Sequence, residues 1–283
     1  MLDKSSDEPG GSSRKGATPA TSPPEVPEID IAAIRYGVFE TASRLNPRFV
    51  AGRSLLLVTL EIRWVPAEPR HAIAGLEARL LEFSPGFRHH ECRGMEAYHV
   101  FSRSVGARRG GRRPARAAKA SIAAVESYDA SLALAHLLEH ALIDLLCEVT
   151  GESTCSGVTG AHRGDVRRYD LMVECGDFAL GCCCLALALS WSLAALQGHG
   201  PGIGEKDVLE ALRWVWLRGA RAVFSTRLAA ARDWREERAA RALAALQDTG
   251  FLEVLPYNVS FSGLPEYRRA GAPIPTRAAA GEA

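Results

Sequence analysis

Apolar residues recur along this chain at two spacings, one suited to helices and one to strands. Between Ile29 and Phe49, the positions Ile31, Ile34, Val38, Ala42 and Leu45 follow a loose helical spacing and predict a helix. From Leu55 to Val65 the run LLLVTLEIRWV is apolar and β-branched, with Glu61 and Arg63 alternating near its end, which predicts a strand. Ala72 to Phe83 is amphipathic through Ile73, Leu76, Leu80 and Leu81, and Ser84-Pro85-Gly86 stops it as a helix. Met95 to Ser102 reads as a second strand. Ser131 to Val149 is a long helix closed by Thr150-Gly151. Two short strands follow, near 153–159 and 167–175. Helices are then expected at 177–197, 204–222 and 227–247, the last ending at Thr249-Gly250, with a short strand from Phe251 to Leu255. Helices and strands fall in separate blocks, which predicts an α+β fold with an antiparallel sheet packed against helices.

Composition divides the chain further. Residues 1–28 are Ser, Gly, Pro and charge, and read as a disordered leader. Residues 29–264 read as one domain, and 265–283 as a flexible tail. Within the domain, 105–120 (VGARRGGRRPARAAKA) is an Arg- and Gly-rich insert. Such an insert could bind acidic polymers or nucleic acid, but its plainer reading is a solvated loop. The formal net charge is +1, so nothing global points to nucleic acid or a membrane surface. Seven cysteines without a CxxC pair fit a reducing compartment, and a cytoplasmic location is expected. The consecutive Cys182, Cys183 and Cys184 read as small apolar residues on a buried helix, with a metal or redox cluster as the alternative. Their helix, from Phe178 to Leu196, approaches the length of a membrane span but is expected to be a core helix.

The chemistry concentrates in the Ser131–Val149 helix. His136 and His140 stand at i and i+4, one above the other, with Glu139 beside both. Leu132, Leu134, Leu137, Leu138, Leu142, Ile143, Leu145 and Leu146 surround them, and a helix apolar all round is buried. Buried imidazoles and a carboxylate need partners, and a divalent cation, zinc above all, supplies them. The order HxxEH leaves Glu139 free as a general base towards the attacking water. The structural alternative is a pair of satisfied core histidines. A catalytic zinc takes a third protein ligand. Glu210 is the first choice, because it sits among Leu209, Leu212 and Val215. Glu205 and Glu174 stand in reserve. Arg167, Arg168 and Tyr169 are candidates for holding the substrate or the anionic transition state.

Two resemblances follow from these residues. The HxxEH order, with Glu210 lying 70 positions after His140, is similar to the pitrilysin and insulinase-type metallopeptidases. More broadly, residues from about 55 to 215 resemble the N-terminal domain of cyanophycin synthetase. The similarity runs through LLLVTLEIRWV, GLEARLLEF, SPGFRHHEC with His90 and Cys92, HLLEHALIDLLCEVTG, YDLMVEC and the alanine-rich helix after it. The resemblance implies an α+β unit like that of HxxEH peptidases and cleavage of an amide bond in cyanophycin or a related peptide. The chain carries no ATP-grasp glycine-rich loop and no GxxxxGK[ST], so polymer synthesis is not expected of it. The family's glycine-rich stretch before the motif helix is replaced by EAYHVFSRSV and the arginine insert. The expectation is a zinc hydrolase acting on a peptide or a cyanophycin-like polymer. The alternative is a non-catalytic module that binds the polymer or a cyanophycin synthetase. Self-association into a homo-oligomer is left open.

Overall fold

A computed structural model describes residues 26–64, 66–84, 87, 130–162, 165, 167–199, 203–219, 223–254 and 266–269. In chain order these form β1 (Glu28–Gly37), α1 (Ala42–Leu45), β2 (Leu55–Arg63), α2 (Pro69–Phe83), α3 (Ala130–Thr150), β3 (Gly157–Ala161) and β4 (Arg168–Glu174). They continue with α4 (Phe178–Leu196), α5 (Ile203–Arg218), β5 (Val223–Phe224), α6 (Ser225–Arg232), α7 (Glu236–Asp248), β6 (Leu252–Val254) and β7 (Glu266–Arg269). The fold is α+β. A four-stranded sheet in the order β1-β2-β4-β3, antiparallel throughout, packs against the helices. A second, three-stranded sheet has the order β5-β7-β6.

Strand β2 shows why the sheet forms where it does. Leu56, Val58, Leu60 and Ile62 point to one face and join the main core under α2, α3 and α4. Leu55 and Leu57 point to the other, where they meet Ala42, Phe49 and Met172. Both faces of the strand's first half are covered, so its sequence is almost continuously apolar. Helix α3 lies at the centre of the main core. Its first turn is tied to the sheet by the Ser131 hydroxyl donating to the Trp64 carbonyl at 3.2 Å. Its last turn closes on Gly151, whose φ of 75° admits the Cys147 carbonyl as acceptor at 2.9 Å. By length and composition alone, α3 and α4 could each cross a membrane. In the fold both pack into the core, and Cys183 and Cys184 of α4 are fully buried there.

Four expectations change. The helical spacing predicted over 29–49 is mostly strand β1, followed by the four-residue α1. The reason is a bulge between Ile31 and Ala33. It shifts the alternation by one residue, so that Ile31 and Ile34 share a face three positions apart, as they would on a helix. The single helix predicted over 227–247 is split into α6 and α7 at Asp233, which takes a left-handed φ of 54°. Glu28, placed at the end of the leader, already opens β1, and residues 1–25 of that leader lie outside the described residues. The tail predicted to be loose from 265 supplies the central strand of the second sheet, with Tyr267 buried between Val223 and Val254. The strand predicted at 95–102, the 105–120 insert, His90 and Cys92 lie outside the described residues.

Candidate metal centre

The motif residues come from a single helix, and their neighbours come from β3. Along β4 and β3, Gly157, Thr159 and Ala161 stand opposite Val173, Leu171 and Tyr169, all core residues, so these three face α3. The Thr159 hydroxyl donates to Glu139 Oε2. Gly157 passes so close to the helix that a Cβ there would lie 2.5 Å from Glu139 Oε1 and 2.8 Å from Ile143 Cδ1. Its carbonyl in turn accepts from Asn46 Nδ2 at 2.7 Å. A glycine is thus required at this crossing because of the close approach, and the carboxylate is held between helix and strand.

Glu139 is only 3% exposed. Burial raises its pKa from 4.5 to about 7, against the Thr159 hydrogen bond, which lowers it. A carboxyl raised in this way towards neutral pH is suited both to accept and to return a proton.

His136 is buried and His140 partly buried. Their Nε2 atoms lie 3.2 Å apart, with the rings nearly perpendicular at a centroid distance of 4.8 Å. Phe87 meets the His140 ring edge-on at 6.4 Å. Two imidazolium rings would not bring these atoms together, so at least one ring is neutral. Two nitrogens ligating one tetrahedral zinc, each about 2.0–2.1 Å from it, would stand about 3.3 Å apart. The pair fits two corners of such a site. The same spacing also suits an N–H···N hydrogen bond between neutral rings.

The expected third ligand is elsewhere. Glu210 is 41% exposed, and its carboxylate pairs with Arg232 at 3.4 Å and Arg213 at 3.7 Å. Arg213 also holds Glu148 of α3 at 2.8 Å. Glu148 is eight positions beyond His140, about 12 Å along the helix axis. The apolar neighbours that singled out Glu210 in the sequence lie on the buried side of α5, while Glu210 looks out to arginines. Glu205 stands in the first turn of α5, where the helix dipole favours a carboxylate. Glu174 is buried, but it lies on the sheet face shared with Leu55 and Met172, away from α3. It accepts the Val50 N–H at 2.7 Å and the Ser156 N–H at 3.2 Å. Among the described residues no three His, Cys, Asp or Glu side chains gather into a metal-holding group.

Of the three candidates for holding a transition state, Arg168 and Tyr169 are committed to other work. Arg168 donates from Nε to Glu61 at 2.8 Å on the exposed sheet face. Arg167 contributes its backbone, its carbonyl accepting from Ile62 N at 2.9 Å. Tyr169 is buried in the core between α3 and the sheet. Thr159 and Gly157 were missed from the sequence; the cue was that β3, GVTGA, is rich in small residues opposite a bulky helix.

Comparison with known proteins finds no matching family, no matching curated protein and no matching solved structure.

Proposed function

We propose that this chain is a zinc-dependent hydrolase that cleaves an amide bond in cyanophycin or a related peptide at its HxxEH helix. The observation that carries the proposal is the 3.2 Å approach of His136 Nε2 to His140 Nε2 on the helix that also buries the Glu139 carboxyl. His136 and His140 would hold the metal from two corners of its coordination sphere. The chemistry a bound zinc supplies is polarisation of a carbonyl and acidification of water. Glu139 takes the proton of the attacking water and passes it to the leaving amine; Thr159 holds the carboxylate in place for both transfers. The apolar wall of α3 keeps bulk water from competing for that proton. The substrate class rests on the sequence resemblance alone.

A second reading is favoured by a specific observation: the described residues supply two nitrogen donors, and Glu210 is engaged by arginines. On that reading the chain is a non-catalytic module that binds a cyanophycin-like polymer or its synthetase. The separating experiment incubates the full chain, zinc-loaded, with cyanophycin and with a peptide library, beside Glu139→Gln. The hydrolase reading expects cleavage by the native chain and a loss of about a hundredfold or more in Glu139→Gln at equal zinc content. Zinc-loaded native protein that cuts neither substrate leaves the binding-module reading in its place.

A further inference from the structure

Strand β1 ends the four-stranded sheet, and among the described residues nothing pairs with its outer edge. It is ten residues long and holds no proline between Glu28 and Gly37, although Pro27 adjoins its start, so its outer N–H and C=O groups can take another strand. We infer that this edge pairs antiparallel with the same edge of a second copy of this chain, joining two sheets into one of eight strands.

The residues of β1 complement those of a second copy of the same strand. Full overlap of Glu28–Gly37 with its own copy, related by a two-fold axis, places Ile29 opposite Tyr36, Asp30 opposite Arg35, and Ile31 opposite Ile34, each twice. Directly opposed residues of an antiparallel pair must share a sheet face. In a regular ten-residue strand this register would oppose residues from different faces. The bulge between Ile31 and Ala33 removes that conflict. Ile29, Ile31, Ile34 and Tyr36 stand opposite Ile62, Leu60, Val58 and Leu56 of β2, and so share the helix-covered face. Asp30 and Arg35 stand opposite Glu61 and Leu57, on the other face. The pairs Glu28–Gly37, Ile29–Tyr36, Asp30–Arg35 and Ile31–Ile34 are then matched in face, and Asp30 and Arg35 meet as opposite charges while Glu28 faces Gly37.

The side chains are available for this. Ile31 is 45% and Tyr36 38% exposed, although both lie on the core side of the sheet. Phe178 continues the apolar strip, its ring 5.6 Å from that of Tyr36. Arg35 is exposed and has no ion-pair partner among the described residues. Asp30 keeps a 3.2 Å contact with Arg63 but stays 65% exposed, free to take a second cation. Charge complementarity of the strand with itself selects a second copy over an unrelated strand.

Sedimentation analysis of the full chain, zinc-free, tests the pairing. The native chain should form a concentration-dependent dimer with a dissociation constant below about 100 µM. R35D and D30R each set like charges opposite one another twice, and each should weaken the dimer roughly tenfold to a hundredfold. An equimolar mixture of the two variants sets unlike charges opposite one another again and should restore the dimer. Circular dichroism of each variant confirms that it is folded. A native chain that stays monomeric at about 100 µM, variants that dimerise as the native chain does, or a mixture that stays monomeric would each overturn the inference.

Discussion

The Thr159 hydroxyl reaches across from strand β3 to donate to the Glu139 carboxylate, so the only acid in the motif is oriented by a strand rather than by its own helix. The bond opposes the effect of burial on Glu139. Thr159→Val keeps the shape of the side chain and removes the donor. It should shift the Glu139 titration upward from about 7. Carbon-13 NMR of the labelled carboxyl reads this directly, and an unmoved midpoint would show that the bond does not act on the acid.

Metal-free protein should show the same burial in its stability. The Glu139 pKa in the fold, about 7, lies above the 4.5 of the unfolded chain. A group of this sign contributes its full stability below the unfolded value and loses it as pH rises through the folded value. Relative to Glu139→Gln, the native chain should therefore lose roughly 3 kcal/mol between acid and mildly alkaline pH. Urea denaturation of both proteins at about pH 5 and about pH 8 measures the difference. Parallel pH dependence in the two would count against a buried, uncharged Glu139.

The crossing of α3 over β3 leaves no room for a methyl group at residue 157. Gly157→Ala would place a carbon 2.5 Å from Glu139 Oε1 and 2.8 Å from Ile143 Cδ1. The expected cost is about 1–3 kcal/mol in unfolding free energy. Combining it with Glu139→Ala should recover part of that cost, giving a coupling between the two sites. Additive effects would mean that strand and carboxylate are not in contact.

Thiol chemistry offers an independent check on the region below the motif. Cys147 is half-buried, and a side-chain hydrogen bond from Cys155 lowers its pKa, while burial pushes Cys183 up to about 12 and Cys184 higher still. Iodoacetamide labelling followed by mass spectrometry should modify Cys147 before Cys183 or Cys184, and Cys155→Ala should slow it. Equal labelling of all three would contradict the packing of α4.

Most of the helical layer was legible in the sequence because α2, α3 and α4 carry strong apolar patterns bounded by Ser84, Gly151 and Asp177. Strand β1 was not, because a one-residue bulge converts a period of two into a three-residue step between Ile31 and Ile34. Strand β7 was not, because its four residues, EYRR, hold a single apolar side chain. The motif itself, His136, Glu139 and His140, needed only helical spacing. Glu210 misled because apolar neighbours on a helix show which side is buried, not which residue faces it; Arg213 and Arg232, which hold it, lie on two separate helices. Thr159 could not be found at all without the strand register, since nothing near it in sequence marks its partner 20 residues earlier.

The central claim is that the two imidazoles are metal ligands, and zinc titration of the purified, metal-free chain tests it most directly. Calorimetry beside His136→Ala, His140→Ala and Glu210→Ala should give one zinc per native chain. Binding should fall at least about a hundredfold in either histidine variant, with no change in Glu210→Ala, whose carboxylate serves Arg213 and Arg232. A native chain that binds no zinc, or histidine variants that bind it as the native chain does, would contradict the account and leave His136 and His140 as a hydrogen-bonded pair in the core.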